Sequence, residues 1–453
     1  MLLQTQVSEQ LLYRLVLVSP ESCCVLAERD GRGISLPRVG VPRWTRAAKE
    51  IQKRIRNNWG MAAIVLDFLE NSEQPASCVV AQLLGLQPRN GLTHVTLDKL
   101  PASDLTESER NTIEAMCAGD SGNRGVFSRL DWIDEAMQWI CEAAGRQVQF
   151  TGEIEQHNAS GTFALLRFAT REGPAYWLKA TGEPNRHEFA ITATLAATWP
   201  KCLPPVVGMR HDWNAWVMEE VGAPLGQQVS ISALKRAVVS MADLQRGTLP
   251  HIDKLIAVGA GDQRMAVLRE HVDEVVDYLE EAMEHHTSTR VQALGVARLR
   301  EIGTVLKDAC DAMQRLNIPA TIIHNDLSRG NILFDEEHCV FTDWCEGCVG
   351  NPFITLQHLL LLLPRGEEDL DVNRFALMCA YKRRWLDSLT PRQIDQAFAL
   401  MPLLAIVSYL YGRGAWLRSA RRHEPQIQSY VRSLARHMDR AAKDPSLMEA
   451  LCH

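Results

Sequence analysis

Residues 323–334 read Ile-His-Asn-Asp-Leu-Ser-Arg-Gly-Asn-Ile-Leu-Phe, and Asp343 follows a second apolar run. The pattern provides a carboxylate at Asp326, an amide five residues later at Asn331, and a second carboxylate at Asp343. Phosphoryl transfer needs these groups, because one carboxylate accepts the proton of the attacking hydroxyl while the other two groups hold magnesium at the phosphates. The apolar runs predict two short strands joined by a turn at residues 335–337. The spacing therefore predicts a catalytic loop for phosphoryl transfer.

This loop resembles that of the aminoglycoside phosphotransferase and choline kinase superfamily, the small-molecule relatives of protein kinases. Asp343-Trp344 takes the place of the protein kinases' Asp-Phe-Gly, and Gly350-Asn351-Pro352 resembles the Gly-x-Pro of the family. The resemblance covers roughly residues 147–440. It implies an α+β fold of the protein-kinase type, with a five-stranded antiparallel N-lobe containing one helix and a mostly helical C-lobe. It says almost nothing about the acceptor molecule.

The resemblance also implies roles for individual residues of the loop. Asp326 would be the base, and Asn331 and Asp343 would bind Mg²⁺, which prefers hard oxygen ligands. His324 would tie the catalytic loop to the metal-binding strand, and a second base at this position is the alternative. Arg329 either stabilises charge on the transferring phosphate or is a loop arginine in contact with solvent.

A lysine and a glutamate upstream match the nucleotide half of such a site. Lys179 lies in an apolar strand predicted at 175–180, and Glu188 lies nine residues later on a helix predicted at 186–198. In kinases the lysine neutralises the α- and β-phosphates of ATP, and the glutamate holds the lysine. Burial without a partner would be costly for the lysine, which favours the pair. The alternative is a lysine at a strand end that extends into water.

The predicted turn between the first two strands of the N-lobe, at residues 157–162, contains one glycine where protein kinases have three. The resemblance implies that Ser160 and backbone N–H groups around Gly161 contact phosphate. An ordinary turn is the alternative interpretation for Ser160.

The stretch Trp-Val-Met-Glu-Glu-Val-Gly at 216–222 resembles the hinge between the lobes. There the carbonyl of Glu219 and the N–H of Val221 would read the edge of adenine. Because backbone groups do the reading, this assignment depends on position more than on residue type.

The N-terminal part of the chain predicts a compact α/β or α+β domain with a helix at 45–58 that Gly60 ends. The stretch 53–61 faintly resembles the end of a Nudix box in which every metal-binding carboxylate is replaced by a basic or amide residue, so hydrolase chemistry would be lost. We expect truncation before Arg129 to leave a soluble, ATP-binding domain. The predicted regions are an N-terminal domain at 1–118, a linker and docking helix at 119–146, an N-lobe at 147–222 and a C-lobe at 223–453.

Composition limits the classes of protein further. With 46% hydrophobic and 23% charged residues the chain predicts globular domains, and a net charge of −7 argues against a dedicated nucleic-acid binder. Polar residues interrupt residues 1–12, so no signal peptide is predicted, and the apolar run 359–363 is too short to cross a bilayer. Twelve scattered cysteines favour free thiols in a reducing compartment. We expect a cytoplasmic protein without membrane or nucleic-acid partners.

The sequence leads to one main hypothesis and two alternatives. The main one is an ATP- and Mg²⁺-dependent phosphotransferase that modifies a hydroxyl of a small molecule. The first alternative is a catalytically silent, nucleotide-binding regulatory protein whose N-terminal domain binds a protein partner of unknown identity. The second, a protein kinase, is disfavoured because Asp343 is followed too closely by a predicted helix at 354–363 for a long activation loop. An acidic helix at 262–286 would attract a cationic acceptor if it lay near the site, and a solvated helix face is the default interpretation.

Overall fold

The computed structural model describes residues 10–20, 24–31, 33–43, 45–69, 76–85, 91–120, 122–226, 230–289, 291–334, 339–363, 369–412 and 417–452. The turn predicted at 335–337 lies outside these residues. The chain forms two compact units. The N-terminal unit comprises Met1–Phe189 and Val206–Glu220, and the C-terminal unit comprises Ala190–Pro205 and Val221–His453.

The N-terminal unit contains a mixed seven-stranded sheet, an antiparallel five-stranded sheet and helices. The strands of the first sheet are β1 (Gln10–Val18), β2 (Val25–Asp30), β3 (Gly33–Ser35), β4 (Arg38–Pro42), β5 (Ala63–Leu69), β6 (Ser77–Leu83) and β7 (Leu92–Val95). The strands of the second are β8 (Phe150–Ala159), β9 (Ala164–Thr170), β10 (Tyr176–Ala180), β11 (Val206–Arg210) and β12 (Ala215–Glu219). The helices are α1 (Ala47–Trp59), α2 (Glu107–Cys117), α3 (Trp132–Ala143) and the start of α4 (Glu188–Thr198).

Helix α1 illustrates how the local sequence sets an element of this unit. Ile51, Ile55 and Trp59 recur at a four-residue spacing and are all buried, so one face of the helix packs on the first sheet. Gly60 adopts φ +67°, and its N–H donates to the Arg56 carbonyl. A left-handed residue at this position satisfies a carbonyl that the end of the helix leaves open, which favours glycine. The predicted helix and its end at Gly60 are confirmed.

Strand β1 is buried on both faces from Leu15 onward. Leu15 and Leu17 pack in the core beneath α1, whereas Val16 and Val18 point into a second core on the opposite face of the sheet. Successive side chains of a strand alternate between faces, so an unbroken apolar run indicates a strand covered on both sides.

The second core is shared by the two sheets of the N-terminal unit. Ile64 and Leu66 of β5 belong to the same buried cluster as Leu166 of β9 and Leu178 of β10. The predicted boundary at residue 118 therefore does not coincide with a boundary between hydrophobic cores.

The C-terminal unit is mostly helical and has one large apolar core. Two small sheets lie in it, with the strand orders β13-β16-β17 and β14-β18-β15. Their strands are β13 (Ala223–Pro224), β14 (Gly261–Gln263), β15 (Thr321–His324), β16 (Ile332–Phe334), β17 (Cys339–Phe341) and β18 (Gly347–Gly350). The helices are α5 (Ile231–Gly247), α6 (Ile252–Ala257), α7 (Met265–Glu270), α8 (Val272–Glu284), α9 (Val296–Arg315), α10 (Phe353–Leu360), α11 (Leu370–Arg383), α12 (Pro391–Gly412), α13 (Pro425–Ala441) and α14 (Pro445–Cys452).

The α+β class is therefore confirmed, with an antiparallel five-stranded sheet, one helix after its third strand, and a mostly helical part that carries the catalytic segment. Within the described residues one helix, α12, is long and apolar enough to span a membrane by length and composition. Leu400, Leu403 and Leu404 of this helix are core residues, so packing within the unit accounts for its apolar character.

Candidate active site

A β-hairpin brings the two predicted metal ligands together. Strands β16 and β17 pair Ile332 with Phe341. The pairing continues one residue further, because the Thr342 N–H donates to the Asn331 carbonyl at 3.0 Å. Asn331 and Asp343 therefore lie in adjacent positions at the same end of the hairpin. Sharing of one metal ion by the two side chains stays a prediction.

The side chain of Asn331 is oriented by its own loop. Its Nδ2 donates to the backbone carbonyl of Asp326 at 2.8 Å, and the Ser328 N–H donates to the same carbonyl at 2.9 Å. With the amide nitrogen directed into the loop, the amide oxygen is the atom of Asn331 that can bind a cation. Asp343 adopts φ +68°, a left-handed conformation that aspartate tolerates better than most side chains.

His324 is fully buried at the centre of the catalytic segment. Its Nε2 lies 2.9 Å from the Thr342 carbonyl, and its N–H donates to Thr355 Oγ1 at 3.2 Å. The ring of Trp344 lies 4.7 Å from the His324 ring. His358 Nδ1 lies 3.4 Å from the His324 carbonyl, and burial lowers the pKa of His358 to about 4, which keeps it neutral at pH 7. These contacts join His324 to the residue before Asp343 and favour the structural role of His324 over that of a second base.

Arg329 contacts the protein itself. Its Nη2 donates to the Leu362 carbonyl at 3.1 Å, just beyond the end of α10. Cations are favourable near the C-terminal end of a helix, where carbonyl groups are left open. This contact anchors the loop, and a role of Arg329 at the phosphate stays a prediction.

The Cys345-x-x-Cys348 pattern suggests zinc as an alternative metal. Cys348 is buried, and burial raises the pKa of its thiol well above the ordinary value. Its sulfur accepts a hydrogen bond from Asn325 Nδ2 at 3.1 Å. Zinc binds thiolates, and burial disfavours the charged thiolate of Cys348 when no metal is bound. The cysteines of the described residues are free thiols, as predicted.

Lys179 and Glu188 form the predicted ion pair. Lys179 Nζ lies 2.6 Å from Glu188 Oε1, and the two side chains are 15% and 1% exposed. Nζ also lies 5.6 Å from the centre of the Trp216 ring. Lys179 stands on β10, which pairs with β9 on one side and β12 on the other. A lysine held in the middle of a sheet by a buried carboxylate does not extend into water.

We predict that Lys179→Met raises the KM for the nucleotide at least about tenfold and lowers kcat, because the phosphates lose a charged hydrogen-bond donor. It should also lower stability by about 3–5 kcal/mol, since the buried Glu188 carboxylate loses its cation. The double variant Lys179→Met/Glu188→Gln should recover much of the stability and none of the nucleotide affinity. Kinetics unchanged in Lys179→Met would remove Lys179 from the nucleotide site.

The turn between β8 and β9 differs from the prediction. Strand β8 includes His157 and Asn158, so the turn consists only of residues 160–163. Ser160 Oγ accepts hydrogen bonds from the N–H groups of Phe163 at 3.0 Å and Thr162 at 3.4 Å. The hydroxyl thus closes its own turn, the alternative role for Ser160. A phosphate could bind the N–H groups of Thr162 and Phe163 only by displacing the Ser160 hydroxyl from them.

Gly161 is buried, which the resemblance did not predict. Its carbonyl accepts a hydrogen bond from the Phe127 N–H at 3.1 Å. A Cβ at residue 161 would collide with the carbonyl of Arg124 and with Ser128 Oγ. Close approach of another chain segment explains the glycine here without any contact to phosphate.

The hinge residues lie at the end of β12. Glu219 pairs with Tyr176 in the five-stranded sheet, and Val221 begins the second segment of the C-terminal unit. Between them Glu220 accepts two hydrogen bonds from Arg167, at 2.6 and 2.8 Å. These bonds hold the pKa of the Glu220 carboxyl below its usual value. Recognition of adenine by the backbone of Glu219 and Val221 stays a prediction.

The segment that contains the predicted loop is similar to a known protein family. Residues 222–386 match a family model described as "Phosphotransferase enzyme family". The matched residues include Asp326, Asn331 and Asp343 with the hairpin that joins them. We call residues 222–386, which are similar to this family, the phosphotransferase segment. Lys179 and Glu188 precede the phosphotransferase segment, so their assignment depends on the geometry of the five-stranded sheet.

A search of curated proteins finds no match. Among solved structures, the chain is similar to the choline/ethanolamine kinase family protein from Mesorhizobium loti, with 15% identity, a TM-score of 0.46, and coverage of 71% of this chain and 98% of that one. It is also similar to macrolide 2'-phosphotransferase MphH from Brachybacterium faecium, with 16% identity, a TM-score of 0.42, and coverage of 66% of this chain and 97% of that one. The chain is likewise similar to a putative fructosamine-3-kinase from Thermobifida fusca, with 19% identity, a TM-score of 0.41, and coverage of 68% of this chain and 99% of that one.

A polar network behind the loop of the phosphotransferase segment was not predicted from the sequence. Asn325, next to the predicted base, is buried, and its Nδ2 donates to the Ser408 carbonyl at 3.4 Å. Ser408 Oγ donates in turn to Gln263 Oε1. A Cβ at Gly412 would collide with the amides of Asn325 and Gln263. Polar residues within or beside apolar helices and strands are the signal for such a network in the sequence, and they do not identify their partners.

Proposed function

We propose that the protein transfers the γ-phosphate of ATP to a hydroxyl group of a small molecule, with Mg²⁺ as the metal. The proposal is supported by the pairing of β16 with β17, which puts Asn331 and Asp343 at the same end of these two strands, within residues similar to the phosphotransferase enzyme family. Asp326, whose backbone carbonyl orients the Asn331 amide, precedes this hairpin.

Each residue has a defined task in this reaction. Asp326 accepts the proton of the acceptor hydroxyl as its oxygen attacks the γ-phosphorus, and the diphosphate leaves. Lys179, fixed by Glu188, neutralises negative charge on the α- and β-phosphates. His324 holds the loop in place through the Thr342 carbonyl.

The two hairpin residues fit magnesium. The Asn331 amide oxygen and the Asp343 carboxylate are hard oxygen donors, and the amide is turned by its bond to the loop so that oxygen, not nitrogen, is its binding atom. When bound, Mg²⁺ would offset the negative charge of the phosphates.

The charge of the acceptor does not follow from the acidic helix α8. Most of its acidic side chains form ion pairs with arginine and lysine side chains of the same unit, which offsets their attraction for a cationic acceptor. The pairs are Asp273–Lys307, Asp277–Arg300, Glu274–Arg418 and Glu281–Arg422. An assay must therefore include both cationic and neutral acceptors.

The test is release of nucleoside diphosphate from Mg²⁺-ATP and Mg²⁺-GTP with a panel of hydroxylated compounds. The panel spans aminoglycosides, amino alcohols such as choline, sugars, nucleosides and macrolides, and Asp343→Asn is assayed in parallel. We expect release that one class of acceptor stimulates in the native protein and that the variant loses. Saturable nucleotide binding without stimulation by any acceptor would instead favour the silent regulatory protein.

Protein kinase activity remains the less favoured alternative. After Asp343 the chain enters β18 at Gly347 and α10 at Phe353. This leaves no room for a long activation loop that would bind a peptide. We expect a cytoplasmic location, consistent with free thiols.

A further inference from the structure

The turn between β8 and β9 lies at the end of the sheet where Lys179 stands. Lys179 pairs with Leu165, and the next residues pair Ala180 with Ala164, directly after the turn. A Cβ at Gly182, just past the lysine strand, would collide with the Thr162 side chain. The turn and the lysine strand are therefore in close contact.

On its other side this turn is held by a segment that comes from outside the five-stranded sheet. The Phe127 N–H donates to the Gly161 carbonyl at 3.1 Å. Gly125 adopts φ +108°, and a Cβ on it would collide with the same carbonyl. Two glycines thus let residues 124–128 approach the turn more closely than any other residue type would allow.

The segment is anchored on a buried carboxylate of the seven-stranded sheet. Asp67 of β5 is 7% exposed, and its Oδ2 accepts hydrogen bonds from Ser128 Oγ at 2.9 Å and Arg124 Nη1 at 3.0 Å. Asp67 lies at a register shift in the pairing of β5 with β6. A register shift of this kind changes the direction in which a side chain points, and here the Asp67 side chain points toward residues 124–128.

A second link fixes the strand that leads into the turn. Gln156 of β8 is buried, and its amide makes two hydrogen bonds with the backbone of Val65, at 2.7 and 2.8 Å. Gln52 of α1 donates to the carbonyls of Ala63 at 3.1 Å and Ile154 at 2.8 Å. Strands β5 and β8 are thus joined by side-chain amides in place of a backbone ladder.

We propose that Asp67 and residues 124–128 form a clamp that positions the β8–β9 turn for the nucleotide, so that the N-terminal sheet sets nucleotide affinity. The proposal rests on the proposed function. A turn that moves freely in solvent would lose conformational entropy when it closes on phosphate, which would weaken binding. A turn that is already fixed by its neighbours does not have this entropic cost. Residues of the clamp are positioning residues, and they act through the turn.

The test compares Ser128→Ala, which removes one hydrogen bond to Asp67, with Gln82→Met as the matched control. Gln82 is also buried in this unit. Its Oε1 accepts a hydrogen bond from the Asp131 N–H at 2.9 Å, and its Nε2 donates to Asp131 Oδ1 at 3.2 Å. We expect Ser128→Ala to raise the KM for the nucleotide about fivefold, the factor for one hydrogen bond of ordinary net strength, with little change in kcat. Gln82→Met should lower stability comparably and leave both constants unchanged.

Amide hydrogen exchange at residues 160–163 provides a readout that needs no nucleotide. We expect faster exchange there in Ser128→Ala than in Gln82→Met. Equal exchange in the two variants, or faster exchange with an unchanged nucleotide KM, would overturn the clamp. Native protein that binds no nucleotide would instead overturn the proposed function, and exchange would still decide whether the clamp holds the turn.

Discussion

Replacing Asp326 with asparagine is expected to lower kcat by about 10²- to 10⁴-fold, the range for loss of a general base. Asparagine keeps the shape of the side chain but cannot accept the proton of the acceptor hydroxyl. The backbone carbonyl of residue 326, which receives the Asn331 amide and the Ser328 N–H, is unchanged. We therefore expect the loop to keep its conformation and the protein to keep its affinity for the nucleotide.

Ser328→Ala is the matched control for this variant. Ser328 is exposed on the same loop, and its backbone N–H, rather than its hydroxyl, bonds to the carbonyl of residue 326. We expect kcat in Ser328→Ala to stay within about twofold of the native value, because surface substitutions of this kind have small effects. Retention of near-native kcat in Asp326→Asn, with its melting temperature unchanged, would exclude Asp326 as the base.

Removal of residues 1–128 is expected to yield an aggregated or unfolded product, the opposite of the sequence-based expectation. The second core of the N-terminal unit contains residues from both sheets, so truncation would expose large side chains such as Phe168, Leu166 and Leu178. Each such side chain contributes about 1.5–3 kcal/mol through burial. The free energy of unfolding of a protein domain is about 5–15 kcal/mol, so losing several of these contacts removes most of it.

A point substitution tests the same shared core without deleting chain. Ile64→Ala in β5 should lower stability by about 2–5 kcal/mol and speed amide exchange in β9 and β10 as well as in β5. Leu12→Ala is the control, because Leu12 in β1 is 45% exposed. A soluble, nucleotide-binding fragment 129–453, together with native exchange in β10 of Ile64→Ala, would show that the five-stranded sheet folds independently.

The sequence predicted what local patterns and short spacings control. Gly60 ends α1 as expected, and Lys179 meets Glu188 across nine residues of chain. Strands β16 and β17 pair as the two apolar runs indicated, which puts Asn331 and Asp343 at the same end of the pair. In each case the residues concerned are close in sequence, so their spacing along the chain is enough to predict their relative positions.

Contacts between distant segments were not predictable in the same way. The apolar pattern of β9 shows which of its side chains are buried but not that Ile64, a hundred residues earlier in the chain, lies in the same core. Gly161 matched a phosphate-binding turn by position, whereas its burial depends on the approach of Gly125. Helix α2 was missed although Thr106 and Glu109 form a capping box, a signal that sequence reading could have used.

The most direct test of phosphoryl transfer is a ³¹P NMR spectrum of the reaction between Mg²⁺-ATP and the best acceptor of the panel. We expect a new phosphate monoester resonance that grows as the γ-phosphate resonance of ATP declines, in equal amounts and at a rate that Asp326→Asn reduces by orders of magnitude. Inorganic phosphate as the only product, or an ester formed equally fast by the variant, would contradict transfer to a small-molecule hydroxyl with Asp326 as the base.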